Sequence, residues 1–190
     1  MRAFISSTQL SALILASLCI PAWAKSGAEG LPNFQKVNNN VYRGAQPSDD
    51  GLKKLADMGV KTILDLRRPS EHDTEAEARL VQSLGMRYVN VPMDGIVAPT
   101  DEQIFKTLSL LSSPSAGPVF IHCKRGADRT GTVMACYRMT YDNWDTKRAV
   151  KEAKSLGMSW TQIGMKYYLN RYQPAQVFAG RTPQPAGGSL

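Results

Sequence analysis

The 190-residue sequence has no apolar run long enough to span a membrane comfortably. Its mainly apolar segment at residues 10–20 is shorter than the roughly 20 residues that a transmembrane helix needs. Arg2 precedes this segment and an A-x-A cleavage site at residues 22–24 follows it, which is typical of a secretory signal. We therefore expect residues 1–24 to be a signal peptide and the mature protein to be secreted or periplasmic, with no stable membrane anchor. A retained interfacial anchor is the alternative.

Cysteine is also scarce. Cys19 lies in the expected signal peptide, so that only Cys123 and Cys136 remain in the mature chain. Two cysteines outside the cytosol could form a disulfide. However, Cys136 shares a helical face with Val133 and Thr140, about two turns beyond the start of the helix that Cys123 precedes. A disulfide needs Cα atoms within about 7 Å, so we predict two free thiols, with Cys136 buried.

Internal repeats are absent, and nothing in the sequence indicates a second domain. Residues 25–173 suit one domain with its own core, and the Pro- and Gly-rich residues 174–190 predict a disordered tail. The formal net charge of +7 favours acidic partners without identifying one.

Apolar, β-branched segments alternate with helical patterns along the chain. This alternation predicts an α/β fold with a central, mainly parallel sheet of about four to five strands flanked by helices. Ligands of such folds bind at loops that follow the carboxyl ends of strands. Three loops qualify, and they follow Leu66, Val91 and His122.

The third loop, in "HCKRGADRTG" (residues 122–131), has the chemistry for binding an anion beside a nucleophile. The backbone amides of residues 124–129 and the start of the next helix can form an anion site. Arg129 adds a planar guanidinium that fits two phosphate oxygens, and Gly126 permits the turn. The same positive field should lower the pKa of Cys123 and make it a thiolate nucleophile.

The remaining loop residues have supporting roles in this interpretation. Ala127 and Asp128 complete the segment that surrounds the anion. Lys124 and Arg125 could attract substrates with more than one phosphate, or could simply be exposed charges. Three neighbours have further expected roles. His122 should hold the loop through a hydrogen bond to the backbone, and the Thr130 hydroxyl should stabilise the leaving thiolate. Arg43 is a candidate brace of the loop.

"HCKRGADRTG" resembles the signature loop of the cysteine-based protein tyrosine phosphatase superfamily, of the small, atypical dual-specificity type. Residues 41–67 and 141–153 are similar to other segments of that family. The resemblance implies hydrolysis of phosphomonoesters through a phosphocysteine, with no metal ion or other cofactor. It implies that Cys123 is the nucleophile and that Arg129 binds the phosphate and the transition state. His122 and Thr130 match the motif less strongly.

The resemblance also implies which partners to expect. They are phosphotyrosine or phosphoserine/threonine proteins or small polyanionic phosphoesters, and no nucleic acid is expected. The "HCKRG" form is similar to plant and fungal atypical enzymes that act on inositol phosphates or phosphoinositides. The Trp-Pro-Asp loop of the large tyrosine-specific enzymes is absent, which predicts a shallow site. A domain that binds phosphorylated ligands without turnover is the alternative from a different class, and the sequence predicts no oligomeric state.

The general acid has two candidates. Asp94, in "VPMDG", follows the neighbouring strand, and Gly95 would let its loop move. An Asp before Gly is also a common turn-stabilising residue. Asp128 is the rival, because "GxDRTG" resembles a bacterial subset in which this Asp does acid–base chemistry, although it could instead shape the loop. Asp101 is a weaker candidate, at a helix start.

Overall fold

The computed structural model describes residues 29–181. Their sheet has five strands in the order β1-β2-β5-β3-β4, and only β1 runs antiparallel to its neighbour. The strands are β1 (Gln35–Lys36), β2 (Val41–Ala45), β3 (Thr62–Asp65), β4 (Arg87–Asn90) and β5 (Val119–Cys123). The predicted α/β fold with a mainly parallel sheet is therefore confirmed.

Seven α-helices flank this sheet within the described range. They are α1 (Asp49–Asp57), α2 (Thr74–Ser83), α3 (Asp101–Ser112), α4 (Asp128–Tyr141), α5 (Thr146–Ser155), α6 (Ile163–Arg171) and α7 (Pro174–Phe178). Side-chain caps begin several of them, including a capping box between Thr100 and Gln103 that starts α3. Pro69–Glu71 form a separate 3-10 turn before α2, and the Asp73 side chain caps α2 at Thr74.

The hydrophobic core supports the loop between β5 and α4. All five residues of β5 are buried, and α4 is buried from Asp128 to Tyr137 between the sheet and its neighbouring helices. One apolar cluster packs on the α4 face of the sheet, and a second packs on the α1 and α2 face. The loop between β5 and α4 is therefore supported by buried structure on both sides.

The carboxyl-terminal prediction was wrong in part. Val177 is buried and Phe178 packs edge-to-face on Phe105 with ring centroids 5.4 Å apart, so α7 is ordered against α3. The Pro- and Gly-rich composition did not reveal these apolar contacts. The expected signal peptide (1–24) and the end of the expected tail (182–190) lie outside the described residues.

Two further expectations concern the cysteines and the membrane. Cys123 and Cys136 are both buried and free, as predicted, and burial raises the pKa of Cys136 well above its usual value. None of the helices between residues 29 and 181 combines the length and apolarity needed to cross a membrane.

Candidate active site

The loop that carries Cys123 is braced from behind by β2. Gly126 has a φ of +66°, and a Cβ there would lie 2.3 Å from the backbone of Gly44. Glycine alone meets both demands. Arg43 is buried and its Nη2 donates to the Gly126 carbonyl over 2.7 Å, which confirms its expected bracing role. Burial lowers the pKa of Arg43 to about 10.

A second brace was not predicted from the sequence. The Asn33 side-chain amide donates to the carbonyls of Arg125 and Gly126 over 3.2 Å each, and to that of Leu156 over 3.1 Å. This contact joins segments separated by 92 or more residues. No local sequence pattern around Asn33 predicts these hydrogen bonds.

The loop opens into a pocket of about 190 Å³. Its lining combines five residues of the Cys123 loop with one from each of two other segments: Cys123, Lys124, Arg125, Asp128 and Arg129, with Gly95 and Gln162. Gln162 was also missed by the sequence analysis. Its Nε2 donates to the Gly95 carbonyl over 2.9 Å and so ties the segment before α6 to the Asp94 loop.

Arg129 is buried and held by an acidic side chain. Its Nη1 and Nη2 donate to the two carboxylate oxygens of Glu71 over 2.6 and 2.9 Å, and Nη1 also donates to the Met93 carbonyl over 3.2 Å. Burial alone would lower the pKa of Arg129, but Glu71 and the nearby Cys123 raise it above its usual value. The hydrogen bond from Arg129 is the main cause that lowers the pKa of Glu71 to about 2.

Asp94 is tied into its own loop. Its Oδ1 accepts from the backbone N–H groups of Ile96 and Val97 over 2.7 and 3.0 Å, and its Oδ2 accepts from Arg68 over 2.6 Å. The hydrogen bonds from Val97 and Ile96 lower the pKa of Asp94, and Arg68 and Arg129 add to that effect. The turn-stabilising contacts are therefore present, while Gly95 beside it lines the pocket.

Asp128 also has both carboxylate oxygens engaged. Oδ1 accepts from the Ser159 backbone N–H over 2.8 Å, and Oδ2 accepts from Arg125. These contacts match the loop-shaping alternative, although Asp128 also lines the pocket. Asp101 lies at the start of α3, where it accepts from the Tyr168 hydroxyl over 2.7 Å.

His122 does not hold the loop as expected. The buried ring lies with Nε2 3.1 Å from Glu77 Oε1 and Nδ1 3.9 Å from Asp65 Oδ1, and neither nitrogen bonds to loop backbone within residues 29–181. Arg67 pairs with the carboxylates of both Asp65 and Glu77. Burial alone would raise the pKa of Asp65, but His122 and Arg67 lower it. The side chains of Asp65, Arg67, Glu77 and His122 therefore form a buried polar network at the strand residue that precedes Cys123.

The last two predictions of the sequence concern polar side chains of the loop. Thr130 Oγ1 is buried and has no hydrogen-bond partner in the described part of the chain, so its hydroxyl is available to another acceptor. Lys124 and Arg125 are exposed at the pocket. They could therefore reach a ligand larger than one phosphate.

The buried Cys123 and Arg129, on a loop between a parallel strand and a helix, define a cysteine-dependent phosphatase of the dual-specificity type. A family model described as "DSP-PTPase phosphatase fused to NAD+ kinase" matches residues 19–167, and the chain belongs to that family.

Curated relatives agree with this assignment. The dual specificity protein phosphatase TpbA of Pseudomonas aeruginosa is 27% identical over 82% of this chain and 68% of its own length. The inositol diphosphatase DSP2 of Oryza sativa subsp. japonica is 30% identical over 65% of this chain and 62% of its own length. The chloroplastic NAD kinase 2 of Arabidopsis thaliana is 31% identical over 76% of this chain, which spans only 15% of that relative.

Solved structures share the fold. The core catalytic domain of the PP-IP phosphatase SIW14 from S. cerevisiae aligns with a TM-score of 0.69 and 23% identity, over 77% of this chain and 89% of that one.

Proposed function

We propose that the chain hydrolyses phosphomonoesters through a phosphocysteine on Cys123, without a metal ion. The observation that supports this most is the joint placement of Cys123 and Arg129 at one small pocket, on a loop braced by Arg43. The Cys123 sulfur attacks phosphorus as the bond to the leaving oxygen breaks. Water then attacks the phosphocysteine, the phosphorus–sulfur bond breaks, and inorganic phosphate leaves. The Thr130 hydroxyl can stabilise the departing thiolate.

Arg129 has donors to spare for this reaction. A guanidinium carries five N–H groups, and Glu71 and the Met93 carbonyl take three of them. The two that remain are on Nε and Nη2, which form one edge of the fork. That edge fits two oxygens of a transferring phosphoryl group. Glu71 therefore holds the guanidinium by its Nη1–Nη2 edge and leaves the adjacent Nε–Nη2 edge for the phosphate.

Asp94 is the general acid in this proposal. It lies beside Gly95 at the pocket, and it must release Arg68 to protonate a leaving oxygen. The hydrogen bonds of the resting loop lower the pKa of Asp94, so the protonated form that donates the proton is populated mainly at acidic pH. Turnover of substrates with poor leaving groups should therefore be favoured at acidic pH.

Aryl phosphates with graded leaving groups test the activity and the acid together. The wild-type chain should hydrolyse the whole series in the presence of EDTA. Asp94→Asn should lose about 10²-fold or more in kcat on the poorest leaving group and much less on the best. Asp128→Asn is the matched variant and should slow the series evenly. If Asp128→Asn shows the leaving-group dependence instead, Asp128 is the acid; if the wild type binds phosphate without turnover, the chain is a binding domain.

An inositol phosphate or phosphoinositide is the second candidate substrate class. It is favoured by Lys124 and Arg125, which are exposed at the pocket beside the phosphate position. DSP2 of Oryza sativa is described as an inositol diphosphatase, whereas TpbA is described as a protein phosphatase.

Removing these two cations separates the substrate classes. Lys124→Ala/Arg125→Ala should raise KM for an inositol polyphosphate about tenfold or more, since one lost contact to a charged group costs about 1.5–3 kcal/mol and about 1.4 kcal/mol is a factor of ten. The effect on a phosphotyrosine peptide should be much smaller. Steady-state kinetics on both substrates measure the difference, and equal losses would leave the cations as simple exposed charge.

A further inference from the structure

Apolar side chains cluster at the mouth of the pocket. Within residues 29–181, five large hydrophobic side chains are more than half exposed, and we call them the apolar rim: Ile96 (78%), Val97 (62%), Trp160 (83%), Ile163 (75%) and Tyr167 (59%). Ile96 follows the pocket residue Gly95, and Ile163 follows the pocket residue Gln162. The described chain's other exposed large hydrophobic residues are Met58, which directly follows α1, and Tyr141, which ends α4.

The two segments of the rim form one surface. The Gln162 side chain donates to the Gly95 carbonyl over 2.9 Å. A Cβ at Gly164 would lie 3.3 Å from the Ala98 nitrogen and 3.5 Å from the Ile96 carbonyl oxygen, so the start of α6 packs directly on the Asp94 loop. The Asp94 loop and α6, which together carry four of the five rim residues, therefore contact each other beside the pocket.

The rim projects outward, and this shape limits what can cover it. A side chain that is 83% exposed, such as Trp160, is not the wall of a groove, because it has almost no neighbours to form one with. Projecting side chains of this kind insert into the surface of a partner and do not form a groove that a partner could occupy. Contiguous exposed apolar residues mark protein or membrane contacts, and a bilayer interface accepts projecting Trp, Tyr and aliphatic side chains without a matching groove.

Cations are interleaved with the rim. Lys166 donates to the Trp160 carbonyl, and the Arg171 guanidinium lies 5.3 Å from the centre of the Tyr167 ring. Lys124 and Arg125 are exposed at the pocket itself. Apolar and aromatic side chains mixed with Lys and Arg are the pattern of surfaces that bind anionic lipid.

We propose that the apolar rim inserts into the interface of an anionic bilayer and holds the pocket over phosphate-bearing lipid headgroups. The pocket then opens toward the membrane, so that Lys124, Arg125 and the Cys123 loop face the headgroup layer. This extends the proposed phosphatase activity to a substrate at a membrane surface. The docking itself needs no turnover, so its failure can be distinguished from failure of the catalytic proposal.

Vesicle flotation of the full chain tests the docking. Binding should be stronger to vesicles of phosphatidylglycerol and phosphatidylcholine than to phosphatidylcholine alone, and it should weaken as salt screens the cations. Trp160→Ser and Ile163→Ser should each weaken binding to the anionic vesicles about tenfold. Met58→Ser is the matched control for an exposed apolar side chain elsewhere and should bind like the wild type, as should Cys123→Ser.

Hydrolysis of p-nitrophenyl phosphate checks the fold of the rim variants. Trp160→Ser and Ile163→Ser should keep the wild-type rate, because that soluble substrate needs no docking. If both variants float with anionic vesicles as well as the wild type does, the proposal is wrong. If these variants keep vesicle binding and also lose turnover of a phosphotyrosine peptide, the rim is a protein-docking surface instead.

Discussion

Cys123→Ser should lower kcat for aryl phosphates by roughly 10⁴-fold or more while leaving the phosphate pocket able to bind. A serine hydroxyl at this position is a far weaker nucleophile than a thiolate, so no phosphoenzyme should accumulate. The pocket itself does not depend on the sulfur, since Arg43 and Asn33 brace the loop and Glu71 holds Arg129. Steady-state assays with p-nitrophenyl phosphate and calorimetry with inorganic phosphate measure the two properties separately.

Cys136→Ala is the matched control for this substitution. Cys136 is fully buried on α4 in the main apolar cluster, away from the pocket lining. Its loss should cost some stability through a small cavity and should change kcat by less than about twofold. If Cys123→Ser keeps wild-type turnover, or if Cys136→Ala loses it, the covalent mechanism on Cys123 is refuted.

The parts of the site that could be predicted from the sequence are those carried by local pattern. An apolar strand that ends in Cys123, followed by a glycine and then a helix, is enough to place the loop at the carboxyl edge of a parallel sheet. The requirement for glycine at position 126 also follows from the turn, and the structure adds the contact with Gly44 that makes it strict. The Thr100–Gln103 capping box at the start of α3 is a local pattern of the same kind.

The parts that could not be predicted depend on contacts between distant segments. Glu71 is separated from Arg129 by 58 residues, so no local pattern connects the two. The 3-10 turn at residues 69–71 brings its carboxylate to the Arg129 guanidinium. Asn33 and Gln162 show the same limit, because ordinary polar residues acquire a role in the site only through packing.

The environment of His122 shows that a sequence motif does not predict the partners of its side chains. The residue before the nucleophile was expected to bond to the loop, but Asp65 and Glu77 from β3 and α2 surround its ring. A motif fixes residue types and spacing, while the partner of a side chain depends on what the rest of the fold places beside it. The acid assignment has the same character, since Asp94 and Asp128 are both engaged in structural hydrogen bonds.

Arg129→Lys should lower kcat by about 10²–10³-fold, comparable to the loss of one transition-state donor in other enzymes. A lysine ammonium keeps the charge, but it cannot donate to Glu71 from one edge and to two phosphate oxygens from the other. Arg125→Lys is the matched control, because Arg125 is exposed at the rim of the pocket, and it should change kcat by less than about threefold. Single-turnover kinetics with p-nitrophenyl phosphate measure both.

Glu71→Gln then tests whether Glu71 positions Arg129 or competes with the substrate. If Glu71 holds the guanidinium for the phosphate, the variant should lower kcat about tenfold, because an amide binds the fork more weakly than a carboxylate does. The pKa of Glu71 is lowered to about 2, so its carboxylate is charged at every pH above about 4, and the ratio of wild-type to variant rates should be constant across that range. If Glu71→Gln instead binds phosphate more tightly and turns over faster, then Glu71 blocks the pocket and substrate must displace it from Arg129.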